Sequence, residues 1–461
     1  MRMGLYFALP LLLAGCATRG SLDIECAGFV QPLPGRSAFR HPLPLSPLEK
    51  QIRGLDGPDP LGNGQTESGL LTRTLYAYQQ ALFRQSLHEA DPLKDNPHLG
   101  VPAVLLLSGG GQWGAFGAGF LFRLAEKEEM PNFFVVTGVS TGGMQAMFVG
   151  SDHPDRWKWL KQAYEIGREK DVVNRNSKLM AVMTGSFAGL KPLRKRIETA
   201  LCAKAEEDGD CPALEALKAS NRQILVGYIE ARSGDFFYSD LHQVADATGA
   251  ANARQCITGT ALASAAMPVT FQQVRINGHA YYDGGVRQSV FAGFAEQLGR
   301  AVRAYDAGKP VDSVNDLPFY VVRNGPTALL NGEGSDKADT SPNALTAAER
   351  AQAIVTNQLE VGSIAALRLQ KPGGPIHFVS ADGWESHAFT TRGGKATTCG
   401  DIRAGLKGAM FDPDFMDCLM DYGRERADAA QPWRDLMTIG AEGVEAMPAI
   451  DPATIVPAND N

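Results

Sequence analysis

Beyond its first residues, this 461-residue chain has no apolar run approaching the roughly 18 residues that a bilayer-spanning helix needs, so its body is not expected to cross a membrane. It also lacks any block of Lys or Arg. With 44 basic against 51 acidic side chains the net charge is −7, and a nucleic-acid partner, which needs a basic face, is excluded. Close-spaced Cys or His pairs are missing, so no zinc site is expected, and there is no internal repeat. What remains is an ordinary globular composition, long enough for two or three domains.

The N-terminus is the exception. Arg2 supplies a positive start, residues 3–13 are apolar, and Leu13-Ala14-Gly15-Cys16 closes the run with small residues, the pattern of a secretory signal over residues 1–15. The ending resembles a bacterial lipobox, which implies that Cys16 becomes the acylated first residue of the mature chain. Ala17, in place of Asp, implies sorting to the outer membrane. The expectation is a lipid-anchored protein of the bacterial cell envelope, on the outer membrane facing the periplasm. Residues 16–65 then read as the acylated cysteine and a Pro-rich tether, since "QPLPGRSAFRHPLPLSP" (31–47) favours extended polyproline-like backbone. Seven cysteines less Cys16 leave six in a compartment that permits disulfides. Cys202 with Cys211 and Cys399 with Cys418 are plausible local bridges; Cys26 and Cys256 remain, and spacing does not fix the connectivity.

Apolar residues at 71, 75, 78 and 82 recur at helical spacing, so 66–102 reads as a helical lead-in docked on the core. The pattern then becomes strand (101–107), glycine loop, helix (115–129) and strand (133–139), a βαβ unit. Helices are expected over 157–170 and 192–203. Strand-like runs recur at 224–230, 236–238, 274–282 with an Asn277-Gly278 turn inside it, 319–322 and 376–379. This alternation predicts an α/β fold with one main sheet. Residues 301–461 read as a C-terminal extension of the same body, with a loose tail from about 448.

Two glycine-rich turns carry the chemistry. Gly109-Gly110-Gly111-Gln112-Trp113-Gly114 fits a dinucleotide fingerprint, but the next strand ends Thr137-Gly138-Val139-Ser140 without the carboxylate that would hold a ribose, and no Gly-Lys-Ser/Thr follows. The same glycines suit an oxyanion hole, because backbone N–H groups can approach a ligand at the start of a helix. Gly138-Val139-Ser140-Thr141-Gly142, at a strand end, has the form of a nucleophile elbow, with Gly138 and Gly142 giving room for the turn. None of the eight histidines lies in a recognisable triad context; His377 and His387 are the ones that a Ser-His-Asp arrangement would have to use. In "AYYDGGV", Asp283 closes a strand-like run and can face the serine from a tight turn.

Taken in order, the glycine loop, the Ser140 elbow and Asp283-Gly284-Gly285 resemble the patatin-like phospholipase family, over roughly residues 103–300. "ALASAAMPVTF" (261–271) looks like the family's small-residue helix leading to a proline. The resemblance implies a three-layer α/β/α fold and a Ser140-Asp283 dyad without histidine, metal or cofactor. It further implies an oxyanion hole from Gly109, Gly110 and Gly111. Family members usually carry Asp before the triglycine and Arg or Lys two positions after it; here those positions hold Ser108 and Trp113, so the motif does not say what holds the loop. The expected function is a membrane-anchored acyl hydrolase, a phospholipase A or lipid esterase, working on acyl-ester lipids. The alternative is a lipid-binding or scaffold lipoprotein with little turnover.

Overall fold

The computed structural model describes residues 20–436 except 46, 55–63, 91–98, 203–210, 247–248, 293–316, 330–343, 372 and 407. The expected signal segment 1–15, Cys16 and the tail from 448 lie outside the described residues. The described chain runs β1 (Ser21–Ile24), β2 (His41–Pro42), α1 (Gly64–Glu89), β3 (Pro102–Leu107), α2 (Gly114–Glu126), β4 (Asn132–Val139), α3 (Thr141–Val149), β5 (Gln223–Glu230), β6 (Phe236–Asp240) and α4 (Ala250–Ser264). It continues with β7 (Gln273–Ile276), β8 (His279–Asp283), β9 (Phe319–Arg323), α5 (Ala344–Gln370), β10 (Ile376–Ser380), α6 (Pro413–Asp428) and β11 (Arg434–Asp435), with shorter elements between.

One sheet organises the molecule, in the order β1-β7-β8-β5-β4-β3-β9-β10-β11, with β6 on the other edge of β5 and β2 beside β6. Strands β3, β4, β5, β9 and β10 are parallel, and β3 is buried from end to end, as a strand covered on both faces must be. Alternate side chains of β3 serve opposite layers. Leu105 and Leu107 pack with Phe116 and Phe120 of α2 and with Phe415 and Leu419 of α6. Val104 and Leu106 pack with Ala77, Tyr78 and Ala81 of α1 and with Ile364 and Leu367 of α5. The result is the expected α/β/α arrangement, a central multistranded sheet flanked by helices.

The segment expected to be a tether is, from Gly20 to Leu45, part of the body. β1 pairs in parallel with β7, β2 pairs with β6, and Phe29 and Phe39 are fully buried. The physical reason is that the prolines are interleaved with large apolar side chains, and burying each of these contributes about 1.5–3 kcal/mol, enough to hold an extended strip against a sheet edge. The strip is also cross-linked: Cys26 bonds Cys256 of α4, while Cys202–Cys211 and Cys399–Cys418 form the two local bridges. The helix expected over 157–170 spans Arg156–Tyr164, ending where Glu165 turns extended.

Candidate active site

Ser140 and Asp283 meet because two strands share one edge of β5. β4 pairs with the first part of that edge and stops at Val139, opposite Gly227. β8 runs the other way along the rest of it and stops at Asp283, opposite Tyr228, the next residue. The residue that follows β4 and the last residue of β8 are therefore brought face to face, 143 positions apart in sequence. The Ser140 side chain is close enough to the Asp283 carboxyl to favour its ionised form.

Ser140 sits at φ 56°, ψ −124°, a backbone conformation that side chains rarely adopt. The turn closes only because its flanks lack side chains: a Cβ on Gly138 would lie 2.1 Å from the Gly142 carbonyl oxygen, and one on Gly142 would lie 2.3 Å from that of Leu107. The Ser140 N–H donates to Ser264 Oγ at 2.7 Å, and Ser264 donates in turn to the Gly227 carbonyl at 2.6 Å. The small-residue helix α4 thus ends in the side chain that braces the serine.

Asp283 is 2% exposed. Its Oδ1 accepts the Gly285 N–H at 2.8 Å. Burial pushes its carboxyl up to about 7; the neighbouring Ser140 side chain and the hydrogen bond from the Gly285 amide pull it down, and the nearby Glu360 carboxylate pushes it further up.

The glycine loop lies against this pair, with the Gly109 Cβ position 3.4 Å from Ser140 Cβ. Gly110 and Gly111 have positive φ, 150° and 58°, and among the described residues nothing accepts their N–H groups. Gly109 differs from the expected oxyanion set, because its N–H already donates to Ser289 Oγ at 3.1 Å. At the two departures from the family pattern, Ser108 and Trp113, the structure gives each a role. Ser108 Oγ accepts the Asn324 N–H, and the Ser108 carbonyl accepts from Asn324 Nδ2 at 2.7 Å. Trp113 packs edge-on against Trp384 and Phe415, so that position is core.

Neither histidine that a triad would need has a recorded contact with the pair. His377 is bonded to Asp435, and His387 sits between Asp421 and Glu425. Sequence reasoning missed Ser264, Ser289, Arg323, Asn324 and Glu360. Ser264 alone carried a usable signal, as a polar residue in the small-residue helix before the proline.

Residues 105–295 match the family model described as patatin-like phospholipase. The chain carries a patatin-like domain. Such a domain is, in general terms, that of a lipid acyl hydrolase or esterase. The patatin-like match includes the glycine loop, Ser140 and Asp283, and excludes Arg323, Asn324 and Glu360. Among solved structures, VipD from Legionella pneumophila is 14% identical, covering 70% of this chain and 67% of its own at a TM-score of 0.30, too loose a likeness to locate residues. No curated protein matches the chain.

Proposed function

We propose that this chain is a serine acyl hydrolase that cleaves carboxylic esters of lipids, with Ser140 as nucleophile and Asp283 as its base. The observation that carries this reading is the meeting of a strained, turn-borne serine with a buried carboxyl raised to about 7, brought together by the ends of β4 and β8. An ordinary aspartate, near 3.9, is a weak acceptor at neutral pH; one titrating near 7 is matched to taking and returning a proton there.

In the proposed cycle, Ser140 Oγ attacks the ester carbonyl while its proton passes to Asp283. The N–H groups of Gly110 and Gly111 stabilise the oxyanion of the tetrahedral intermediate, and Asp283 gives the proton to the departing alcohol. Water then attacks the acyl-Ser140 ester with Asp283 again as base, releasing the fatty acid. Acylation of Cys16 would anchor the enzyme in the bacterial envelope, on the outer membrane facing the periplasm, beside phospholipids or other acyl-ester lipids. Among the described residues no helix is long and apolar enough to cross a membrane.

The test is fatty-acid release from phospholipid vesicles, and hydrolysis of a short-chain aryl ester, between pH 5 and 9 in chelator. Wild type should turn over both, with an acidic limb near pH 7, while Ser140→Ala and Asp283→Asn at matched folding lose nearly all activity. A wild type that binds vesicles but hydrolyses no ester overturns the proposal and leaves a lipid-binding scaffold.

A further inference from the structure

The glycine loop lacks the basic residue that the family pattern places after it, yet it is fastened through Ser289 to residues outside the patatin-like segment. Gly109 donates its N–H to Ser289 Oγ, and Ser289 Oγ and Glu360 Oε1 of α5 lie together beside Gly109, 3.4 and 3.8 Å from its Cβ position, with Ser289 favouring the ionised form of Glu360. Glu360 is ion-paired with Arg323, the last residue of β9, whose guanidinium also donates to the Pro326 carbonyl at 2.9 Å. One turn along α5, Ser363 Oγ accepts the Ser289 N–H at 3.2 Å, a second attachment to the same short segment after Asp283. All are deeply buried: Ser289 at 0%, Arg323 at 3% and Glu360 at 7% exposure.

A buried ion pair is a poor way to stabilise a fold, since removing both charges from water is costly and well-packed apolar residues often do as well. This pair stands where its field and its hydrogen bonds reach the site. The Gly109 Cβ position is 3.4 Å from Ser140 Cβ and 3.8 Å from Glu360 Oε1. Around Asp283, the Ser140 hydroxyl and the Gly285 amide favour the ionised form and Glu360 opposes it. Around Glu360, burial opposes ionisation while Arg323 and Ser289 favour it.

We infer that Glu360, clamped by Arg323, is a positioning residue for the hydrolysis proposed above: it fixes the glycine loop through Ser289 and adjusts the field at Asp283. The inference rests on that hydrolytic reading for its kinetic half; its electrostatic half rests on the placement of Glu360 beside the glycine loop and Ser140 and on the opposition of its charge to that of Asp283.

Three variants separate the halves: Ser289→Ala, Glu360→Gln, and the double variant Glu360→Gln/Arg323→Met, which leaves no unpaired cation if the single one folds poorly. For the aryl ester, each should lower kcat about 10–100-fold, less than the roughly 100–1000-fold of losing an oxyanion donor outright because the donors stay but are misaligned, with KM changed less than about threefold. The acidic limb should fall below its wild-type position near pH 7 in Glu360→Gln, return towards it in the double variant, and stay in place in Ser289→Ala. Unchanged kcat in all three overturns the loop-fixing role. A limb that moves equally in Ser289→Ala and Glu360→Gln overturns the field effect.

The Asp283 carboxyl is titrated in parallel by carbon-13 NMR of aspartate-labelled protein, assigned by difference from Asp283→Asn. This readout needs no turnover. A wild type inert on esters would remove the hydrolytic reading and with it the kinetic half. A lowered midpoint in Glu360→Gln would still support the coupling, and an unmoved midpoint would overturn it.

Discussion

The turn around Ser140 and the loop around Gly110 stand at the ends of neighbouring parallel strands, β4 and β3, and each leads into a helix. They are held in opposite ways. The Ser140 turn closes mainly on itself: Gly138 and Gly142 lie within one short stretch and pack against each other and the end of β3, with the Ser264 hydroxyl as a remote brace on the Ser140 N–H. The glycine loop is held from afar where it leaves β3, by Asn324 through Ser108 and by Ser289, with Glu360 and Arg323 behind it, through Gly109. A locally closed turn can be written in five letters, whereas a remotely held loop needs the whole fold before its letters mean anything.

The contrast makes the Ser140 turn all-or-none. Gly138→Ala forces a Cβ to within 2.1 Å of a backbone oxygen that cannot move without opening the turn, so loss of about 10³-fold or more in kcat/KM, or of folded protein, is expected. Ser140→Ala should lose as much activity while melting like wild type, and running both through ester hydrolysis and thermal melts separates geometry from chemistry. A Gly138→Ala enzyme that works normally would break the comparison.

The next largest effect is on stability. Because the folded state holds the Asp283 proton up to about pH 7 while the unfolded chain releases it near 3.8, wild type loses stability as pH rises between those values. Asp283→Asn has no charge to bury, so its advantage over wild type should grow from pH 4 to pH 8 towards about 4 kcal/mol, at 1.36 kcal/mol per pH unit. Urea unfolding at the two pH values measures it, and an advantage independent of pH would show that the carboxyl is not held protonated.

The same local-against-remote difference recurs in the disulfides. Cys26–Cys256 spans 230 positions and Cys202–Cys211 spans 9, so by loop-closure entropy the first stabilises by about 3 kcal/mol more than the second. Serine pairs at each, compared by denaturant midpoint, should rank in that order. The smallest effect is expected at Asn324→Ala, which keeps the backbone bond to Ser108 Oγ but removes the side-chain bond to the Ser108 carbonyl and those shared with Gln145: a loss of about 1–3 kcal/mol and a graded fall in kcat of about tenfold. An all-or-none loss there would mean that the loop is as intolerant as the turn.

Legibility followed the same line. β3, α2 and β4 could be read from apolar runs and punctuating glycines, and Ser140 and Asp283 from their turn motifs, because each signal lies within a few residues. Glu360 sits in a helix whose sequence gives no hint of a polar partner, and Arg323 ends an otherwise apolar strand. Their meaning arises only when β9 inserts between β3 and β10 and α5 crosses the loop after Asp283. The strip from Gly20 to Leu45 misled for a related reason: proline spacing announces extended backbone, and extended backbone is equally at home in a tether and at a sheet edge.

That strip alters what anchoring would mean. Gly20 lies against the carbonyl of Thr184, beside the exposed Met183, and the neighbouring strand pairs Ser186 with Val269, itself half exposed. Three residues lie between Cys16 and Gly20, so the two can be no more than about 14 Å apart. An acyl group on Cys16 would therefore moor the molecule rather than leash it, holding the corner around Met183 and Val269 almost at the level of the lipid headgroups. The enzyme would graze the leaflet that carries it, and a distant membrane would be out of range.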